Sequence, residues 1–315
     1  MCKLSVLMSA YNAERFIKES IDSILAQKFT DFELLIADDG STDSTKYIID
    51  SYSDKRIKTF HNEHNYHKPV TVQKLFEKSI GEIITIHDAD DISTPNRFAK
   101  MISLLNSRPD IYMSGHSMER MSESGRPLGV FRNKETDFTL IKENMRYANT
   151  DGDASMFIRR DVLDSIGQVF RPYFKNNMDY DLALRIIERY KTTNVPEVLY
   201  YYRNVSSSIS KGDNSYKKLI TQKVTQFLAK ERAQFGHDSL QQYDLRKIRQ
   251  MEDEFSKPYL ADITLYHRER AEFFMHCKMN FRAIKLMLIA VILNPFRGVN
   301  WRTLQYCIRK TIFKF

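Results

Sequence analysis

The chain has 315 residues, 42% of them hydrophobic and 12% aromatic. That suffices to bury one large core or two smaller ones and excludes a collagenous, low-complexity or disordered protein. The net charge of +8 is unevenly placed: no acidic residue follows Glu272, whereas Lys278, Arg282, Lys285, Arg297, Arg302, Arg309, Lys310 and Lys314 do, and those eight equal the whole surplus. A neutral body with a cationic tail points to an anionic surface as the tail's partner; a nucleic-acid partner is not expected, because no recognition motif accompanies the basic residues. Cys2, Cys277 and Cys307 follow neither a metal-ligand nor a disulfide-framework spacing, which fits a reducing cytoplasm. The start has neither the long apolar core nor the cleavage site of a signal peptide, and the longest apolar run, Leu286–Leu293, falls short of the roughly 20 residues that cross a bilayer.

In chain order, Leu4–Ser9 reads as a strand, and Asn12 is placed to cap a helix whose apolar positions Phe16, Ile17, Ile21, Ile24 and Leu25 keep helical spacing. Phe32–Ala37 reads as a second strand ending in Asp38-Asp39-Gly40-Ser41-Thr42-Asp43, where Gly40 permits a tight turn and Thr42 or Asp43 can cap the next helix. Ile57–Phe60 predicts a third strand, Val70–Ile80 a helix and Glu82–His87 a fourth strand. A helix from Pro95 to Leu105 and a strand near Ile111–Ser114 follow. Such alternation implies βαβ units and a mainly parallel sheet with helices on both faces.

The fourth strand runs into Asp88, Asp90 and Asp91, three carboxylates within four positions. Carboxylates that close repel one another, so they make sense where a hard cation or a donor-rich ligand offsets the repulsion. Read alone, the tract is equally compatible with an acidic turn in which Asp91 or Ser93 caps the helix near Pro95. The other strand ends favour the ligand: Ser9-Ala10-Tyr11 and Asp38-Asp39 are polar too, and right-handed βαβ connections bring such ends to one edge of the sheet. No Walker-type or dinucleotide-type glycine loop occurs. His61, His64 and His67 are spaced by three but lack a zinc-binding frame, and His67 is expected to line the ligand pocket instead.

The segments Ser5-Val6-Leu7-Met8-Ser9-Ala10-Tyr11-Asn12, Asp31–Thr45 and Asp88-Ala89-Asp90-Asp91 resemble family-2 inverting glycosyltransferases in wording, order and spacing, from about Leu4 to Ser210. The resemblance implies a GT-A fold, a nucleotide-sugar donor and a divalent metal, Mn²⁺ or Mg²⁺. On the family's pattern Ser9, Ala10, Tyr11 and Asp39 hold the base and ribose, His67 lines the pocket, Asp88 and Ala89 face the ribose or sugar, and Asp90 binds the metal on the diphosphate. Hard ions take oxygen ligands and can be held by one or two carboxylates plus phosphate, so Asp90 alone could suffice.

Asp151-Gly152-Asp153-Ala154-Ser155 resembles the family's loop beside the acceptor, though an ordinary polar turn is the competing account. It precedes a strand-like Met156–Arg159 and a helix opening at Arg160. In Asn176-Asn177-Met178-Asp179-Tyr180-Asp181, Met178-Asp179 stands where the family has Glu-Asp, so Asp179 is the implied catalytic base, the alternative being a helix cap, with Asp181 a first-turn acid. Leu199–Ser210 resembles the segment that folds over the diphosphate; Arg203 would touch phosphate or else pack beside the tyrosines, and Val205 replaces a histidine that often ligates metal.

Lys211–Ser215 is a plausible boundary between a catalytic domain, 1–210, and a helical region, 211–315. Helices are expected over Tyr216–Phe235, on to about Phe255, from Pro258 to Cys277, over Phe281–Leu293 and over Asn300–Phe313. In the last of these, Trp301, Leu304, Ile308, Ile312 and Phe315 form one apolar stripe among basic residues, suited to an anionic membrane surface or to docking on protein. The expected protein is a cytoplasmic inverting glycosyltransferase, peripheral on the inner face of the cell membrane. It would transfer a sugar from a UDP-sugar to a saccharide or lipid-linked acceptor in cell-surface polysaccharide synthesis; the alternative is a non-catalytic scaffold on the same fold.

Overall fold

The strand β1 (Leu4–Ala10) is buried along nearly its whole length, as an apolar run covered on both faces must be. It is followed by α1 (Ile17–Leu25), β2 (Phe32–Asp38), α2 (Thr45–Asp50), β3 (Ile57–His61), α3 (His67–Lys78) and β4 (Ile83–Ile86). These coordinates, a computed structural model, describe residues 2–131, 133–146, 152–205, 216–276 and 279–313. β1 pairs in parallel with β2 on one side and β4 on the other, and β3 lies outside β2. The connection therefore reverses direction at β1, which is where open α/β sheets bind ligands.

After β4 come β5 (Ile92–Ser93), α4 (Arg97–Ser107), β6 (Met113–Ser122), β7 (Pro127–Phe131), α5 (Phe138–Met145), β8 (Phe157–Arg159), α6 (Arg160–Ile166), α7 (Met178–Ile187) and β9 (Thr192–Asn204). The sheet runs β3-β2-β1-β4-β8-β6-β9-β5, with β7 added to β6. Its first four strands are parallel; β8 is antiparallel to β4 and β6, and β9 returns parallel to β6. The fold is the expected α/β GT-A arrangement, mixed in its second half. α1 turns Ile17, Ile21 and Ile24 onto β1 and β2, and α4 adds Phe98, Met101, Ile102 and Leu105 to the same core. Phe98 meets Phe32 edge to face with centroids 5.4 Å apart.

Several local expectations are corrected. Asn12 does not cap α1: it adopts φ 48° and its Oδ1 accepts from the Thr42 N–H at 2.9 Å, tying the β1 end to the β2 turn. Asp91 and Ser93 do not cap α4, whose N-cap position is Asn96. Gly40 (φ 75°) is required twice over, because an added Cβ would also lie 2.6 Å from the His64 backbone.

The second compact unit, Asp213–Phe315, is helical: α8 (Lys217–Phe235), α9 (Leu245–Ala261), α10 (Leu265–His276), α11 (Asn280–Leu293) and α12 (Gly298–Phe313). Pro258 does not open a helix; α9 runs through it. The break falls at Asp262, whose carboxylate accepts from the Thr264 N–H and hydroxyl (3.0 and 2.6 Å) and pairs with Arg268 and Arg297. A small core joins Ala271, Ala283, Met287, Ala290, Val291, Leu304 and Cys307. Of the apolar stripe expected on the last helix, Leu304 is buried there and Ile308 packs against it, whereas Trp301 and Ile312 stay exposed; Phe315 lies outside the described residues.

Candidate functional site

Register brings the strand ends together. Ala10 lies opposite Asp38, the Asp39 N–H donates to the Ala10 carbonyl at 2.8 Å, and the His87 N–H donates to the Leu7 carbonyl at 3.0 Å. Ser9-Ala10-Tyr11, Asp38-Asp39 and Asp88-Ala89-Asp90 thus share one edge. Tyr11 is half exposed there and free to lie against a flat ring. Asp39 is buried, and its Oδ1 accepts from Asn62 Nδ2 (2.7 Å), the Tyr66 N–H (3.1 Å) and Thr71 Oγ1 (2.8 Å). Three donors on one oxygen fix the carboxylate and leave Oδ2 for an incoming N–H among the described residues. His67 opens α3 in a left-handed conformation (φ 69°) and is exposed; His61 instead meets Asp50, and His64 packs on Tyr66.

Beneath the acid tract lies a support that is buried throughout. Arg97 has no exposed surface; its guanidinium donates to His116 Nε2 (3.0 Å), Ser93 Oγ (2.9 Å), Thr85 Oγ1 (3.1 Å) and the Ala154 carbonyl. Burial lowers its pKa to about 10. The ring of Tyr200 lies 4.7 Å from that guanidinium, and Tyr200 Oη accepts from the Asp88 N–H at 3.1 Å. Asp91 is fully buried and accepts from the Arg203 N–H at 2.6 Å. Burial, with Asp90 and Asp88 nearby, pushes its carboxyl well above the usual range. It is a structural tie between β5 and β9.

Arg203 is also a brace. Its Nε donates to the Asp90 carbonyl (2.8 Å), Nη1 to the Glu123 carbonyl (2.8 Å) and Nη2 to Glu19 (2.5 Å), with the guanidinium over Phe16. The side chain is buried, and these three bonds hold the acid loop. Asp90 sits in a different state. Burial, with Asp88 beside it, raises its carboxyl to about 6, and the neighbouring cations are already taken, Lys68 by Asp88 and Asp153 and Arg203 by Glu19.

Lys68, unflagged by sequence, joins the two halves of the site. Its Nζ lies 2.6 Å from Asp88 Oδ1 and 2.5 Å from Asp153 Oδ2. Burial works against its charge, but Asp153 and Asp88 outweigh burial and raise its pKa. Asp153 stands on the turn Asp153–Ser155, whose Ala154 carbonyl is the one held by Arg97. Asp179 lies in the first turn of α7, one residue past Met178; the N-cap position is Asn177 (φ 56°), so Asp179 is not the cap. Burial first, then the Asp153 charge, raises its carboxyl to about 7. Asp181 is in the first turn of α7, as expected, and is fully buried between Arg171 and Arg185; Arg185 also donates to the Gln168 and Val169 carbonyls. That triad pins the start of α7, and with it Asp179.

The arrangement therefore places a half-exposed tyrosine ring beside a fixed carboxylate, with a carboxylate short of positive charge and another raised to about 7. The sequence matches the profile of Glycosyl transferase family 2 over residues 5–167, more than half of the chain. The chain belongs to glycosyltransferase family 2. Among relatives of the family, EpsE of Bacillus subtilis (strain 168) is 29% identical over 230 residues, covering 68% of this chain and 77% of EpsE. WfgD of Escherichia coli, a UDP-Glc:alpha-D-GlcNAc-diphosphoundecaprenol beta-1,3-glucosyltransferase, is 34% identical over 113 residues, 36% of this chain and 45% of its own. Among solved structures, Staphylococcus aureus TarS 1-349 in complex with UDP-GlcNAc aligns with a TM-score of 0.64 at 17% identity, over 98% of this chain and 91% of that one, which bears on the fold alone.

Of the two residues that sequence did not single out in this glycosyltransferase, one carries a local pattern. Arg97 is the single charge among the core-facing positions of a helix that otherwise buries Phe98, Met101, Ile102 and Leu105. Lys68 carries no comparable signal, because its partner Asp153 lies far along the chain.

Proposed function

We propose that this glycosyltransferase transfers a sugar, with inversion, from a nucleoside-diphosphate sugar, most simply a UDP-sugar, to a hydroxyl of a saccharide or lipid-linked acceptor at the inner face of the cell membrane. The observation that carries the reading is Asp179: a carboxyl held near neutral pH, fixed by α7 and linked through Asp153 and Lys68 to the donor-side Asp88. A base whose pKa lies near the working pH combines a useful ionised fraction with proton affinity. The WfgD name supports a UDP donor and a diphospholipid acceptor, and UDP-GlcNAc bound to TarS supports UDP.

In the proposed reaction Asp179 accepts the proton of the acceptor hydroxyl while that oxygen bonds to the anomeric carbon. The bond to the diphosphate oxygen breaks on the opposite face, so the anomeric centre inverts and the nucleoside diphosphate leaves with the bonding pair. Tyr11 and Asp39 hold the base, and Asp88, with its backbone fixed by Tyr200, faces the sugar. The residues fit a divalent ion: Asp90 is a half-buried carboxylate whose neighbouring cations are occupied. No group of three or more His, Cys, Asp or Glu among the described residues is arranged as a metal cage, so phosphate oxygens would complete the coordination. When bound, Mn²⁺ or Mg²⁺ supplies Lewis-acid stabilisation of the departing diphosphate. Calorimetry tests this: UDP with Mn²⁺ should bind the wild type at least about tenfold more tightly than Asp90→Asn, and equal affinities would remove Asp90 as the ligand.

A further inference from the structure

α11 has the wrong surface for a helix at the outside of a water-soluble bundle. Its sequence, Asn-Phe-Arg-Ala-Ile-Lys-Leu-Met-Leu-Ile-Ala-Val-Ile-Leu, is apolar nearly all round, a pattern that belongs in a core or in lipid. Only one side is covered: Ala283, Met287, Ala290 and Val291 face the small core. On the opposite side Phe281 (82% exposed), Leu288 (48%) and Ile292 (78%) fall in one line at helical spacing, with Lys285 between them. The line continues in sequence into the turn before α12, where Phe296 is 97% exposed. Trp301, near the start of α12, is tied back to that turn: half exposed, it donates from Nε1 to the Pro295 carbonyl at 2.8 Å.

We infer that the outer face of α11, with the Phe296 turn and Trp301, is the surface that seats the protein on an anionic lipid bilayer. Charge selects that occupant. The exposed ionisable groups on α11, the turn and α12 are Arg282, Lys285, Arg297 (paired with Asp262), Arg302, Arg309 and Lys310, and no acidic residue follows Glu272 anywhere in the sequence. A second copy of the chain would bring the same positive face against itself across a two-fold axis, with like charges opposed. An anionic membrane surface meets both requirements, taking the apolar row into the headgroup boundary and the basic side chains onto the lipid phosphates. At 14 residues α11 is about 21 Å long, too short to cross a hydrocarbon core of roughly 30 Å, so it lies in the plane of the interface.

The inference rests on the membrane-side location proposed above and not on the transfer chemistry. The full-length protein is mixed with phosphatidylcholine vesicles with and without phosphatidylglycerol, at low and high salt, and followed by sedimentation and by the emission of its single tryptophan. Wild type should pellet with the anionic vesicles alone, release at high salt, and shift its emission to the blue. The triple variant Phe281→Ser/Ile292→Ser/Phe296→Ser, altering exposed side chains only, should keep its melting temperature and bind more than tenfold more weakly. Wild type that stays in the supernatant removes the membrane location and the inference together. Wild type and triple variant that bind alike overturn the inference and leave the location to another surface. A wild type that dimerises through a contact abolished in the triple variant assigns the face to a second copy and equally overturns it.

Discussion

Asp153 is expected to set the pH at which the enzyme works. It is held 2.5 Å from Lys68 and raises the Asp179 carboxyl as the second cause after burial. Asp153→Asn removes that like charge while keeping the shape of the turn. Asp179 lies at about 7, and removing one like charge from a partly wet cleft should bring it down by on the order of one pH unit, about 1.4 kcal/mol. Because Asp179 acts ionised, activity rises with pH through its pKa, so the acidic limb of the transfer profile should move from near 7 towards 6. Lys68→Met should move the limb the other way, since it deletes a cation that lowers Asp179. The assay is nucleoside diphosphate release against pH at saturating donor and acceptor. An acidic limb that stays put in Asp153→Asn, or moves in the same direction in both variants, refutes the coupling.

Asp179→Asn should retain donor binding and lose transfer by a factor on the order of 10² or more, as for a missing general base; turnover near wild type would refute that role. The same variant should be more stable above neutral pH. The folded value of about 7 lies above the unfolded one, so ionising this carboxyl costs the folded state stability as pH rises between the two, and an amide avoids a penalty on the order of 1–2 kcal/mol once solvent access is discounted. Urea melts at pH 5 and pH 8 check the sign. Arg97→Met should destabilise the fold by about 3–5 kcal/mol, because it strands the Ala154 carbonyl and the buried acids above it; a loss below about 1 kcal/mol would contradict the support role.

The convergence of the strand ends was legible because its signals are local. Three apolar strands each ending in polar residues require only the handedness of βαβ units to converge, and the register of β1, β2 and β4 brings Tyr11, Asp39 and Asp88 to one edge. What sequence did not show is long-range pairing. β6 and β9 are separated by about seventy residues of chain, and Pro196-Glu197 interrupts β9 with a register shift opposite His116 and Ser117, which hides its alternation. Lys68 was not singled out, and Arg203 was left between two roles, for the same reason: each charge is defined by partners far along the chain, Asp153 for one and Glu19 for the other. The apolar stripe on α12 was visible on a helical wheel, but which side of it faces α11 is set by packing, and burial of Leu304 and Cys307 decides that.

The most direct test of the central claim follows the anomer. A UDP-sugar with an α-linked hexose, chosen from a panel by binding in the presence of Mn²⁺, is turned over, and the anomeric proton of the first product is read by NMR before mutarotation or in the glycoside formed. Single-step attack assisted by Asp179 predicts a β product, metal-dependent and absent from Asp179→Asn. An α product, or release unaffected by Asp179→Asn, would contradict it.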